Sequence, residues 1–210
     1  VSAQECDKPN MLLVLDASGS MSGQKWTDAK NAVQYILNNY GTQVRWGLML
    51  FAADSNCAAG VVNVGVGDNT STAITNAVNA RSPNSNTPTA DTLKAANQYA
   101  GLHDSSRLNY VMLITDGDPT CSGNTVATTT NAAAGLFAAG IKTFVIGMPG
   151  ATEGNLLQFA QAGGTTSHYM TTNQASLQAA MTTIVQLATT RPCKNACGTG
   201  VENCVNQKWA

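Results

Sequence analysis

Three short segments of the sequence are rich in oxygen-bearing side chains, and two of them directly follow an apolar run. They are DASGS at residues 16–20, NTPT at residues 86–89 and DGD at residues 116–118. Hard divalent cations such as Mg²⁺ take carboxylate and hydroxyl oxygens as ligands. None of the three segments contains Cys or His. Their chemistry therefore predicts a Mg²⁺-like site rather than a site for a softer metal.

The positions of these segments also favour a shared site. The apolar runs 11–15 and 110–115 read as buried strands, and they end at Asp16 and Asp116. In open α/β sheets, ligands bind beyond the carboxyl ends of the strands, where the strand order reverses. If the two strands are neighbours, the two carboxylates converge. Gly19 permits the sharp turn that aims the flanking serine hydroxyls at the same point.

Each segment alone has a simpler structural interpretation. Asp and Ser are common helix N-caps, so DASGS could simply be the start of a helix, with no role in metal binding. An Asp-Gly pair after a strand is a frequent turn. The conjunction of three such segments, each after the expected element, favours the metal site.

Strand and helix patterns alternate along the chain. Apolar runs and i, i+3, i+4 periodicity predict strands at 11–15, 44–52, 61–66, 110–115, 141–147 and 168–171, and helices at 25–40, 69–80, 90–100, 125–139, 153–162 and 176–190. This alternation predicts an α/β fold with a doubly wound, mostly parallel central sheet and helices on both faces. The link 54–60 is too short for a parallel crossover, so the strand at 61–66 should be an antiparallel edge strand.

The pattern stops at Pro192. Residues 193–210 are rich in Cys, Gly and Asn and show no helical or strand period. We therefore predict one large domain over residues 1–192 and a Cys-rich appendage, or the start of a further module, over residues 193–210.

Composition excludes several classes of function. Charged residues make up only 11% of the chain, the net charge is −1 and no Lys/Arg block exists, which argues against nucleic acid as a partner. No run of 18 apolar residues is present, so no membrane span is expected in this chain. Six cysteines without zinc-type spacing favour disulfides in an oxidising compartment; they are Cys6, Cys57, Cys121, Cys193, Cys197 and Cys204.

The motif set DASGS, NTPT and ITDGD resembles the metal-ion-dependent adhesion site of von Willebrand factor A domains, and the resemblance covers about residues 8–191. The resemblance implies a divalent cation, Mg²⁺ first and Mn²⁺ or Ca²⁺ as alternatives. It also implies that Thr89 supports the site by a hydrogen bond. The implied metal ligands are Asp16, Ser18, Ser20, Thr87 and Asp116.

By the same resemblance, we expect a secreted or cell-surface adhesion domain of the bacterial adhesin kind. A site with two carboxylates stays near neutral or positive once a divalent ion binds, so it attracts an acidic group. The partner would be a protein or glycan that supplies this group, and no enzymatic activity is expected. A metal-dependent hydrolase is disfavoured because no Lys, His or extra Glu is evident near the motifs. An intracellular assembly factor is disfavoured by the cysteines.

We expect the six cysteines to form three disulfide bonds. Cys57 and Cys121 should both lie at the metal end of the sheet, where we predict that they bond to each other. The resemblance brings the two chain termini together at the opposite end, which implies a Cys6–Cys193 bond. Cys197 and Cys204 then remain to close a small loop in the tail.

Overall fold

The structure, a computed structural model, describes residues 7–53, 57–195, 198–205 and 208–209, and beyond residue 190 only the backbone is described. The strands of the main domain are β1 Asn10–Asp16, β2 Arg45–Phe51, β3 Val61–Gly67, β4 Asn109–Thr115, β5 Ile141–Gly147 and β6 Tyr169–Met170. The α-helices are α1 Gln24–Tyr40, α2 Ser71–Ala80, α3 Thr89–Gln98, α4 Val126–Ala138, α5 Glu153–Ala162 and α6 Gln174–Thr189.

The predicted fold class is confirmed by a six-stranded sheet of order β3-β2-β1-β4-β5-β6. All neighbouring pairs are parallel except β2 and β3, which are antiparallel at one edge. The strand order reverses between β1 and β4, where Leu15 lies beside Ile114. Asp16 and Asp116 therefore leave the sheet at the switch point, where α/β folds bind ligands.

Both faces of the sheet are covered, which explains why β1 is apolar at consecutive positions. Met11, Leu13 and Leu15 face the cluster formed with α1 and α6. Leu12 and Val14 face the opposite cluster, formed with α3, α4 and α5. With both faces packed, β1 holds the loop that follows it at a fixed position at the carboxyl end of the sheet.

Two helices begin two residues away from their predicted positions, for local reasons. The helix α6 begins at Gln174 because Asn173 and Ser176 form a reciprocal capping box, in which the Ser176 amide donates to Asn173 Oδ1 at 3.0 Å. The helix α2 begins only at Ser71. Asn69, predicted to start it, has a φ of 59°, which is a left-handed turn conformation.

The tail, whose sequence shows no strand period, nevertheless contains strands. The strand β7 Thr190–Asn195 pairs antiparallel with β8 Gly198–Val205, which pairs antiparallel with β9 Lys208–Trp209. These strands form a separate three-stranded sheet. Antiparallel pairing uses backbone groups, so a strand without apolar alternation gives little signal in sequence. The division into domains at residue 192 stays a prediction.

The Cys57–Cys121 disulfide is confirmed, with an S–S distance of 2.06 Å. It joins the loop after β2 to the loop after β4 at the carboxyl end of the sheet. The predicted Cys6–Cys193 and Cys197–Cys204 bonds involve side chains that lie outside the described residues. In the described ranges, no helix combines the length and the apolar character needed to cross a membrane.

Candidate metal centre

Asp16 is the last residue of β1 and is completely buried. Its Oδ1 accepts a hydrogen bond from the Ser18 amide at 2.8 Å, and its Oδ2 accepts one from the Thr115 hydroxyl at 2.6 Å. One of these donors follows β1 and the other ends β4. The carboxylate is therefore fixed between the two central strands.

Burial raises the pKa of Asp16 to about 6, against the opposing effect of the hydrogen bonds from Thr115 and Ser18; the nearby Asp116 carboxylate raises it further. No ion pair to Asp16 is present among the described side chains. A buried carboxylate of this kind gains from a nearby positive charge, and such perturbed groups mark candidate functional sites.

The two serines connect Asp16's loop to Asp116. The hydroxyls of Ser18 and Ser20 lie 3.0 Å apart, and Ser20 donates a hydrogen bond to Asp116 Oδ1 at 2.8 Å. Asp116 comes directly after β4, and its carboxylate is also fully buried. We call Asp16, Ser18, Ser20 and Asp116 the carboxyl-end cluster. Four of the five sequence-predicted ligands therefore form one hydrogen-bonded group.

The fifth predicted ligand, Thr87, lies in a segment that touches both of the other loops. The Gly19 amide donates to the Ser85 carbonyl at 3.0 Å. On the other side, the Thr87 amide donates to the Thr120 hydroxyl at 2.9 Å. Thr87 is buried, but no hydrogen bond links its hydroxyl to the carboxyl-end cluster within the described ranges. The structure thus brings its segment, rather than its side-chain oxygen, into bonded contact with the site.

The support of the site that is expected of Thr89 stays a prediction. Its hydroxyl, at the start of α3, is buried without a hydrogen-bond partner in the part of the chain that the structure describes. A threonine hydroxyl that does bond to the carboxyl-end cluster is that of Thr115, which donates to Asp16. Sequence reasoning missed Thr115, although a hydroxyl at the last position of β4, directly before Asp116, was an available signal.

Lys25 is the second residue that the sequence reasoning missed, and it corrects the statement that no Lys lies near the motifs. It stands at the second position of α1. Its ammonium forms an ion pair with Asp116 Oδ2 and donates a hydrogen bond to the Pro149 carbonyl at 3.0 Å. The signal was its position five residues after Ser20, in the first turn of the helix that begins beside the site.

Asp118 lies outside this cluster. Its carboxylate accepts hydrogen bonds from the Thr152 hydroxyl at 3.0 Å and from the Asn155 side-chain amide at 2.8 Å. These donors flank the start of α5, so Asp118 ties the loop after β4 to that helix.

The donor chemistry of the site fits a hard cation. It offers two carboxylates and three hydroxyls, all of them oxygen donors. No three His, Cys, Asp or Glu side chains gather as metal ligands among the described residues. An ion at this site would therefore depend on the hydroxyls of Ser18, Ser20 and Thr87 as much as on the carboxylates.

The chain belongs to the von Willebrand factor type A domain family, because the model of that family matches residues 10–186. This match spans the whole sheet and the flanking helices up to α6. No curated protein sequence matches the chain.

Solved structures show the same fold at low sequence identity. Proximal thread matrix protein 1 from the mussel byssus, in a structure with a zinc-occupied MIDAS motif, is 16% identical, with a TM-score of 0.67 over 91% of this chain and 50% of that chain. The pilus adhesin SpaC from Lactobacillus rhamnosus GG is 16% identical, with a TM-score of 0.69 over 99% of this chain and 38% of that chain. A von Willebrand factor type A protein from Catenulispora acidiphila is 17% identical, with a TM-score of 0.68 over 88% of this chain and 44% of that chain. The chain therefore spans half or less of these proteins.

Proposed function

We propose that this domain is an extracellular, cation-dependent binding module of the adhesin kind. Asp16, Ser18, Ser20, Thr87 and Asp116 would hold a divalent ion, and the ion would bind an acidic group of a protein or glycan partner. The ion supplies the positive charge that attracts this group and accepts its oxygen as a ligand. The domain's own residues position the ion and exclude other ligands.

The observation that carries this proposal is the carboxyl-end cluster. Four predicted ligands from two loops, 96 residues apart at Ser20 and Asp116, lie within one hydrogen-bonded group. A capping or turn role for the two motifs would not require this contact. The Asp16 carboxylate is buried and has no ion pair among the described side chains, which adds a physical reason for a positive ion at this point.

Mg²⁺ is the ion that we propose, with Mn²⁺ and Ca²⁺ as the alternatives. The site provides only oxygen donors, and Mg²⁺ is commonly held by one or two carboxylates while it keeps several waters. An ion that keeps waters can exchange one of them for the partner's carboxylate. The structure of the mussel protein has zinc in its MIDAS motif, so Zn²⁺ belongs in the binding assays.

The extracellular location is supported by the Cys57–Cys121 disulfide. Disulfides persist mainly in oxidising compartments and are rare in the cytosol. The adhesin and the byssus protein have a similar fold, which agrees with this assignment. We also propose that the domain is not an enzyme. Although Lys25 lies at the site, its ammonium is engaged by Asp116 and Pro149.

The ion is tested first, by calorimetric titration of the chain with Mg²⁺, Mn²⁺, Ca²⁺ and Zn²⁺. The partner chemistry is tested next, on an array of peptides that each carry one Glu and are paired with their Gln counterparts. We expect Mg²⁺-dependent binding to Glu peptides that EDTA removes and that the Gln peptides lack.

A matched pair of variants separates the site from the rest of the surface. Asp116→Ala should lose peptide binding, whereas Asp118→Ala, two residues away and hydrogen-bonded to Thr152 and Asn155 at the start of α5, should retain it. Equal binding by both variants with and without EDTA would refute the metal-bridged mechanism.

A further inference from the structure

Lys25 occupies an unusual position for a lysine. Its side chain is 28% exposed, whereas the Asp116 carboxylate with which it pairs is 0% exposed. The ammonium also contacts the Pro149 carbonyl, beyond the end of β5. It therefore reaches from the first turn of α1 over the carboxyl end of the sheet and into the carboxyl-end cluster.

The pairing divides the Asp116 carboxylate between two donors. The Ser20 hydroxyl takes Oδ1 and the Lys25 ammonium takes Oδ2. Among the described side chains, Lys25 is the cation that pairs with a carboxylate of this cluster. A buried carboxylate without a partner is strongly destabilising, so Lys25 supplies the counter-charge that the metal-free cluster needs.

A divalent ion needs the same oxygens. Two cations that share one carboxylate repel each other, and this repulsion is strong where water is largely excluded. The partly exposed Lys25 side chain has a flexible four-carbon stem, so it can move to solvent.

We propose that Lys25 is a built-in competitor of the metal ion: its ammonium neutralises Asp116 in the metal-free protein and must leave the Asp116 carboxylate for a divalent ion to bind with full affinity. This inference rests on the proposed function, because it requires that the carboxyl-end cluster binds an ion. It adds that the Lys25 ammonium sets the affinity for the divalent ion. Because Lys25 balances the charge of Asp116, the metal-free protein is also stable.

The direct test is the affinity of the full chain for Mn²⁺, measured by calorimetry and by the loss of the free-ion EPR signal. Lys25→Met keeps most of the side-chain length and removes the charge. We expect it to bind Mn²⁺ about tenfold more tightly or better. Lys25→Arg keeps the charge and should stay close to the original affinity.

The matched control is Lys30→Met. Lys30 lies on the same helix, and no ion pair to it is present in the described part of the chain. This variant changes the net charge by the same amount, so a general electrostatic effect would appear in it equally. We expect its Mn²⁺ affinity to match that of the unmodified chain.

Thermal unfolding gives a second readout. In EDTA, Lys25→Met should have a lower Tm than Lys30→Met because Asp116 loses its counter-charge, and saturating Mn²⁺ should remove most of this difference. If the unmodified chain binds Mn²⁺ and Lys25→Met binds it no more tightly, competition is refuted and the proposed function stands. If neither the unmodified chain nor any variant binds a divalent ion, both are refuted.

Discussion

The two ends of the central sheet use charge in opposite ways. At the carboxyl end, Asp16 and Asp116 are both buried, and Lys25 forms an ion pair with Asp116. At the amino end, six charged residues form ion pairs near the surface, with Asp68 half exposed. We call these the amino-end ion pairs, and they comprise Asp7, Lys8, Arg45, Asp68, Asp104 and Arg107.

The two ends differ in how far their charged groups are exposed to solvent, rather than in the types of residue that carry the charge. Exposed ion pairs contribute little because water and salt screen them. Buried carboxylates gain or lose much more from each nearby charge. A similar set of Asp and Lys side chains therefore forms a structural surface at one end and a candidate ion site at the other.

The largest expected effect is the loss of metal binding on neutralising one buried carboxylate. Asp16→Asn should weaken Mn²⁺ binding by about a thousandfold or more, which is about 4 kcal/mol, because the ion loses a charged oxygen in a buried site. Asp68→Asn, at the amino end, should leave Mn²⁺ binding unchanged. Calorimetric titration of the two variants measures both effects, and equal losses would remove the distinction between the two ends.

The second effect concerns the covalent tie at the carboxyl end. The Cys57–Cys121 bond spans a sequence separation of 64 residues. By the chain-entropy argument, replacing both residues with Ser should lower the free energy of unfolding by about 4 kcal/mol. Urea unfolding without reductant measures this change. A loss below about 1 kcal/mol would mean that this disulfide does little to hold the carboxyl end.

The third effect is a pH dependence with an unusual sign. Burial raises the pKa of Asp16 to about 6 from 3.8, so in EDTA the native state keeps a proton that the unfolded chain releases between pH 4 and 6. Stability from this group is present below that window and is lost as the pH rises through it. Relative to Asp16→Asn, the original chain should lose about 3 kcal/mol between pH 4 and 7.

Urea titrations of both proteins across this range measure the difference, with EDTA present throughout. A difference that does not change with pH would show that Asp16 ionises at little cost, and the contrast between the two ends would then be smaller than the burial implies.

The smallest effect is expected at the amino end. The hydrogen bond from Lys8 lowers the pKa of Asp68, with Lys8, Arg45 and Arg107 charges acting in the same direction. The stability that Asp68 contributes is therefore present above pH 4 and is lost as the pH falls through its lowered pKa. Because Asp68 is half exposed, Asp68→Asn should cost at most about 1 kcal/mol at pH 7 and less in high salt. A larger, salt-insensitive loss in thermal unfolding would contradict this.

The sequence predicted the parts of the molecule that depend on local pattern. The continuous apolar runs of β1 and β4 indicated strands buried on both faces, and the carboxylates after them indicated where the strands end. The short link before β3 was enough to predict its antiparallel pairing. These features depend on residues that are close in sequence, so they were visible without coordinates.

The missed features depend on side chains that meet from distant parts of the chain. Lys25 reaches Asp116 across 91 positions, and Thr115 reaches Asp16 across 99. The periodicity of the sequence does not reveal such contacts. A lysine at the start of an amphipathic helix usually faces solvent, so its position alone does not indicate a contact with a distant carboxylate. The role of Thr89 stays a prediction for a related reason, because a hydroxyl in a motif does not reveal which way the backbone turns it.

The disulfide between the loops after β2 and β4 also has a mechanical consequence. A pulling force applied to the two ends of the chain passes through the Cys57–Cys121 bond and bypasses the segment between these cysteines, a sequence separation of 64, which contains β3, α2, α3 and β4. While the bond is intact, full extension should be shorter by roughly 220 Å, at about 3.5 Å per residue. Stretching single molecules with and without reductant would show this as a difference in contour length.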